Sequence, residues 1–134
     1  MAVEHPFTTS IPVQYRDLDP MGHVNNAVYV TYLEEARIAY VEQVLGLDLS
    51  AVGSVVASLS IDYAQPIVHG ETVTVEVTVP RLGTSSIPMA YELRVDGDVV
   101  AEATSVQVLY DLETETPREI PDEWREEIES FEGL

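Results

Sequence analysis

Apolar and polar residues alternate along most of this chain, and one longer helical run interrupts them. Ile11, Val13 and Tyr15 fall at every second position of Phe7 to Tyr15, the period of a half-buried strand. Pro12 has no N–H to give a ladder, so this strand is expected at a sheet edge or a bulge. Val24 to Leu45 then carries apolar residues around most of a helical circumference, leaving Glu34, Glu35 and Glu42 as a narrow polar side. That pattern predicts a long helix buried nearly all round, with Gly46 as its C-cap.

Four strands are predicted after it: Ser54 to Tyr63, Glu71 to Pro80, Ser85 to Asp96 and Val99 to Tyr110. Thr72 to Val79 alternates strictly and is rich in β-branched residues. Asp96-Gly97-Asp98 predicts a tight hairpin turn. Pro121 to Ile128 predicts a short final helix with Pro in its first turn. Trp124, Ile128 and Phe131 are spaced to put one apolar face on the body.

One strand, one long helix and four consecutive strands point to the α+β class, with a five-stranded antiparallel sheet wrapped around the helix. A chain of 134 residues makes one domain, with a core over about residues 7–110 and an acidic tail over 111–134. Such a sheet has a further face to cover and little chain left to cover it. A homodimer or homotetramer is therefore expected.

Composition narrows the function. No apolar run approaches the roughly 20 residues of a membrane span, and Met1 to Pro6 lacks the pattern of a secretory signal. With no Cys, disulfides and thiolate chemistry are excluded; the expected home is the cytoplasm. Acidic residues number 24 against 6 basic ones, all of them Arg, for a net charge of −18. The composition resembles that of proteins from salt-in halophiles. It offers no basic patch for phosphates, so nucleic acid is not an expected partner. No His or Cys cluster suggests a metal and no Gly-rich loop suggests a phosphate cofactor; none is expected. His5 and His69 read as surface residues.

The candidate chemistry is concentrated in Asp17-Leu18-Asp19-Pro20-Met21-Gly22-His23-Val24-Asn25-Asn26-Ala27-Val28-Tyr29. This run sets carboxylates, an imidazole and two amides beside the expected start of the long helix. Helix starts carry unpaired N–H groups and partial positive charge, which stabilise an oxygen becoming negative. Asp19 in reach of such an oxygen suits a general base or a nucleophile; it also suits a helix cap. His23, one turn on, suits protonation of a leaving group or orientation of water. Asn25 and Asn26 suit caps or binding groups. Asp17 reads as a loop hydrogen-bonding residue, and Glu35 as an ion-pair partner of Arg37 or Arg16.

This order of elements and this run resemble the hot-dog fold thioesterases of the 4-hydroxybenzoyl-CoA thioesterase-like superfamily. Asp-x-Asp-x-x-Gly at Asp17 to Gly22, followed by His23-Val24-Asn25-Asn26-x-x-Tyr29, carries most of the resemblance. Glu34-Glu35-Ala36-Arg37, Ile61-Asp62-Tyr63-x-x-Pro66 and Gly83-Thr84-Ser85-Ser86 agree with it. The resemblance implies an acyl-CoA thioesterase in which Asp19 is the catalytic carboxylate and the main-chain N–H of Asn26 polarises the carbonyl. It implies sites at a subunit interface, with Gly22, Asn25 and Tyr29 near the substrate. Coenzyme A is anionic and needs local positive charge; Arg81, beside Gly83 to Ser86 and with Ser85, and Arg94 are the candidates. The run also resembles the site of plant fatty acyl-carrier-protein thioesterases, where Met21 departs from an Asn. Two alternatives stay open: a hot-dog enoyl-CoA hydratase using Asp19 and His23, and a non-catalytic acyl-CoA-binding module. Tyr29, Tyr32, Tyr40 and Tyr63 suit an aromatic acyl pocket or ordinary core.

Overall fold

The computed structural model describes residues 6–48 and 53–134; His5 lies outside them. The elements run β1 (Phe7–Pro12), α1 (Val28–Tyr40), β2 (Ser54–Tyr63), β3 (Thr72–Thr78), β4 (Ser86–Val95), β5 (Asp98–Asp111), β6 (Thr116–Pro117) and α2 (Asp122–Glu132). The antiparallel sheet has the order β1-β3-β4-β5-β2, and the two-residue β6 folds back on the end of β5. This is the expected hot-dog arrangement with one short strand added.

Pro12 pairs with Thr72 at the end of β1, an edge strand, as its missing N–H requires. The chain leaves the sheet there and turns through a short 3₁₀ segment at Tyr15–Asp17. Ile11 and Val13 are buried as the alternation predicts, but Tyr15 is 81% exposed. Its place in the pattern ends where the strand ends. Between β4 and β5 both turn residues have positive φ, 50° at Asp96 and 85° at Gly97. That is the twist a two-residue hairpin needs, and Gly adopts it without a Cβ clash.

The helix differs from its expected bounds at both ends. It begins at Val28 rather than Val24, because His23 and Val24 are held in β-bridges to Val68 and Leu18. Past Tyr40 it widens into a π-helical turn at Val41–Leu45, closed by left-handed Gly46. Nor is α1 buried all round. Tyr29, Tyr32, Leu33, Ala36, Arg37 and Tyr40 form one buried stripe, whereas Val30, Glu34 and Glu35 stay exposed. The stripe packs with Val73, Val75, Val77, Tyr91 and Leu93 in a single apolar core. Because α1 lies over the β1–β3 side, β2 at the far edge is left bare, with Val55, Val56, Leu59 and Tyr63 each at least 38% exposed.

Residues 111–134 fold back on the core. Ile128 of α2 is buried in it and Phe131 meets Tyr40 edge-on at 5.9 Å. Buried Glu132 accepts the Tyr40 hydroxyl at 2.7 Å and the Val79 N–H at 3.1 Å. Hydrogen bonds to a charged group are worth about 1.5–3 kcal/mol each. Glu132→Ala, which strands both donors, is therefore expected to cost about 3 kcal/mol in urea unfolding.

Burial pushes up the ionisation of Tyr40, and the Glu132 carboxylate adds to the shift. Burial likewise raises Tyr32, helped by Asp17, and Tyr29, helped by Tyr63 and Glu71. A group whose folded pKa is raised contributes stability below its unfolded value, here 10.0, and loses it as pH rises through the folded value. Urea midpoints are therefore expected to fall steadily above pH 10, and less steeply in Tyr40→Phe. A flat midpoint through that range would refute this.

Candidate active site

The run from Asp17 to Tyr29 is a loop pinned from three directions. Asp17 is its anchor: its Oδ2 accepts the Tyr32 hydroxyl and the Gln14 N–H, both at 2.8 Å, and its carbonyl accepts the Asn25 N–H at 2.9 Å. Asp17 is the structural hydrogen-bonding residue its position suggests. The Val24 N–H bonds the Ile67 carbonyl at 2.8 Å, tying the loop to the segment after β2. Asn25 accepts the Ala27 N–H on its side-chain oxygen at 2.9 Å and starts the turn that leads into α1, as a cap does.

Asp19 closes a tight turn on itself. Its Oδ1 accepts the N–H groups of Met21 at 2.9 Å and His23 at 3.2 Å. Its own N–H bonds the His23 carbonyl at 2.7 Å, and its carbonyl takes the Gly22 N–H at 3.0 Å. Gly22 has φ of +80°, a conformation a side chain would strain. This geometry orients the carboxylate through Oδ1 and leaves Oδ2 with no partner among the described residues.

Asp19, His23, Asn26 and Tyr29 line one open cleft of about 280 Å³ with Tyr63, Gln65 and Pro66. The far wall is aromatic: Tyr29 and Tyr63 meet edge-on at 4.8 Å. The Tyr63 hydroxyl donates to the Asn26 carbonyl at 2.9 Å, and the Tyr29 hydroxyl to the Gln65 carbonyl at 3.4 Å. The Asn26 N–H has no acceptor among the described residues. The half-buried His23 shares the cleft, but its imidazole does not hydrogen-bond Asp19. His23 lies in a β-bridge rather than on the first turn of the helix.

Some expected residues are elsewhere. Arg81 and Ser85 sit between β3 and β4, at the end of β3 away from Glu71 and the cleft. Seven residues of strand separate those ends by roughly 23 Å, so one chain does not bring them to Asp19. Arg94 is paired with Glu92, the one ion pair among the described residues. Glu35 therefore pairs with neither Arg37 nor Arg16. Met21 is 77% exposed and does not line the cleft. Of the four tyrosines, Tyr29 and Tyr63 belong to the cleft, whereas Tyr32 and Tyr40 are spent on Asp17 and Glu132. Gln65 lines the cleft with Asp19, and no motif or spacing in the sequence singles it out.

Residues 13–128 match the model of the thioesterase-like superfamily. The chain belongs to that superfamily. This thioesterase-like chain is 31% identical over 128 residues to the long-chain acyl-CoA thioesterase FadM of Escherichia coli, covering 92% of this chain and 97% of FadM. Among solved structures it resembles a thioesterase from Thermus thermophilus complexed with coenzyme A and Zn, at 37% identity and a TM-score of 0.86, over 95% of this chain and 94% of that one. It also resembles the PA2801 protein of Pseudomonas aeruginosa, at 40% identity and a TM-score of 0.82, over 89% and 95%. Among the described residues no three His, Asp or Glu side chains converge on a metal-sized site, and no helix is long and apolar enough to cross a membrane.

Proposed function

We propose that this thioester hydrolase acts on acyl-CoA, with Asp19 as the reacting carboxylate and the Asn26 N–H as donor to the thioester carbonyl oxygen. One observation carries the reading: a carboxylate with one oxygen fixed and the other unpartnered among the described residues lines the same cleft as Asn26, whose main-chain N–H has no acceptor among them. Asp19 takes a proton from water as the water oxygen attacks the acyl carbon, or attacks that carbon itself to form an anhydride that water then opens. In either course the carbonyl oxygen becomes negative and a donor placed for it lowers the barrier. The C–S bond breaks, coenzyme A departs as a thiolate, and the His23 imidazole in the same cleft is the group to return a proton.

The site in this reading is completed by a second copy. Bare β2 offers ten residues of unpaired edge, which invites another strand. Antiparallel pairing of two β2 strands sets the Tyr63 end of one beside the Ser54 end of the other. Ser54 pairs with Leu109, whose N–H bonds the Ser85 carbonyl. The loop holding Arg81 and Ser85 is thus carried toward the other copy's cleft, where coenzyme A would need a cation. Leu59→Asp, mid-strand, is expected to yield monomers by light scattering and to lose activity with assembly. Active monomers would rule the shared site out. The reading as a whole is tested by thiol release from short, long and aromatic acyl-CoAs in molar potassium chloride. Turnover of one class supports it; no release from any by folded protein overturns it.

A further inference from the structure

A second cavity, of about 220 Å³, opens between α1 and the far half of the sheet. Val41, Leu45, Ile87, Met89 and Leu109 make it largely apolar. Its polar residues are unusual. Arg37 lines it while only 9% exposed, and its hydrogen bond is a long one, 3.5 Å to the Tyr91 hydroxyl. In a chain with 24 acidic residues, none within the described part pairs with it. Glu34, one turn back, lines the cavity but is exposed and makes no ion pair with Arg37.

Gln107, 8% exposed, lines the same cavity. Its Nε2 reaches Ser105 at 3.5 Å, and Ser105 shares a 2.6 Å hydrogen bond with the Tyr91 hydroxyl. A guanidinium has five donors and no acceptor, so this group has donors to spare. Among the described residues no side-chain nitrogen is both sealed from solvent and unpartnered. The remaining guanidinium donors thus reach open space, and the cavity is the space Arg37 lines. These donors have no protein acceptor among the described residues and are available to an oxygen that enters the cavity.

We infer that this cavity binds the far end of an acyl chain bearing a second oxygen group, a carboxylate or hydroxyl, which Arg37 and Gln107 receive. The inference rests on the acyl-thioester reading above and names its substrate class. Ser54 and Val56 of β2 line the same cavity, so pairing of two β2 strands sets it beside the other copy's Asp19 cleft. The apolar walls take the methylenes, and the donors take the terminal oxygen.

The test compares kcat/KM for octanoyl-CoA, 8-hydroxyoctanoyl-CoA and suberoyl-CoA, the eight-carbon diacid thioester, in wild type, Arg37→Met and Gln107→Leu. A hydrogen bond to a charged group predicts a preference for the oxygenated chains of about tenfold or more. Arg37→Met is expected to erase that ratio, and Gln107→Leu, which keeps the guanidinium, to reduce it should Arg37→Met not fold. A larger gain with suberoyl-CoA than with the hydroxy chain assigns a carboxylate; equal gains assign a neutral oxygen. No preference in wild type, or equal loss on all three substrates in the variants, overturns the inference. If none of the three is hydrolysed, calorimetry with free suberate separates the two readings. Arg37-dependent suberate binding then keeps the cavity and counts against the proposed reaction on eight-carbon acyl-CoA; absence of binding discards the cavity.

Discussion

Asp19→Asn is expected to lower kcat/KM on the best acyl-CoA substrate by roughly a thousandfold, the scale of a lost general base. The amide is nearly isosteric with the carboxylate. Its Oδ1 still accepts the N–H groups of Met21 and His23, which hold the turn at 2.9 and 3.2 Å. The loop should therefore keep its shape, and thermal unfolding should move by no more than a few degrees. What disappears is the second oxygen, which can take a proton or attack carbon; an amide does neither at neutral pH. Asp19→Ala removes the turn as well and is expected to lose both activity and stability. The two variants together separate chemistry from capping. Asn retaining wild-type turnover would remove Asp19 from the mechanism and leave it a cap.

Stability is expected to depend strongly on salt. The chain carries a net charge of −18, and the described residues contain one ion pair, Arg94 with Glu92. Few of its carboxylates are thus neutralised by neighbours, and at low ionic strength they repel one another across a small body. Raising potassium chloride from about 0.1 M to 1 M shortens the screening length from about 10 Å to about 3 Å. For a chain of this size, each kcal/mol recovered raises Tm by about 4 °C. A rise of more than about 10 °C is expected, reflecting several kcal/mol of relieved repulsion. Uncharged sucrose, which strengthens apolar burial without screening charge, should do less at equal osmolality. A Tm indifferent to potassium chloride would make this an ordinary acidic protein.

The strands were legible because each is a local pattern. Thr72 to Val79 alternates whatever surrounds it, and β2 keeps its expected bounds, Ser54–Tyr63. The Asp96-Gly97 turn and the Gly46 cap were legible for the same reason, since positive φ is a property of one or two residues. Asp19 and its neighbours were legible as a motif within a single loop.

Other features needed the folded chain. Val24 has a helical neighbourhood in sequence, yet its N–H bonds the Ile67 carbonyl, so the helix starts a turn later. Gln65 and Tyr63 meet Asn26 and Tyr29 only because β2 ends beside the start of α1. Arg81 and Ser85 are near Asp19 in no periodicity, and the sheet puts them at its other end. Arg37 looked like an ion-pair partner for Glu35; packing turned it inward to Tyr91, with no ion pair to any described carboxylate. Periodicity reports which side of its own element a residue faces. Which residue of another element it then meets depends on contacts distant in sequence, and those set the cleft, the cavity and the uncovered edge.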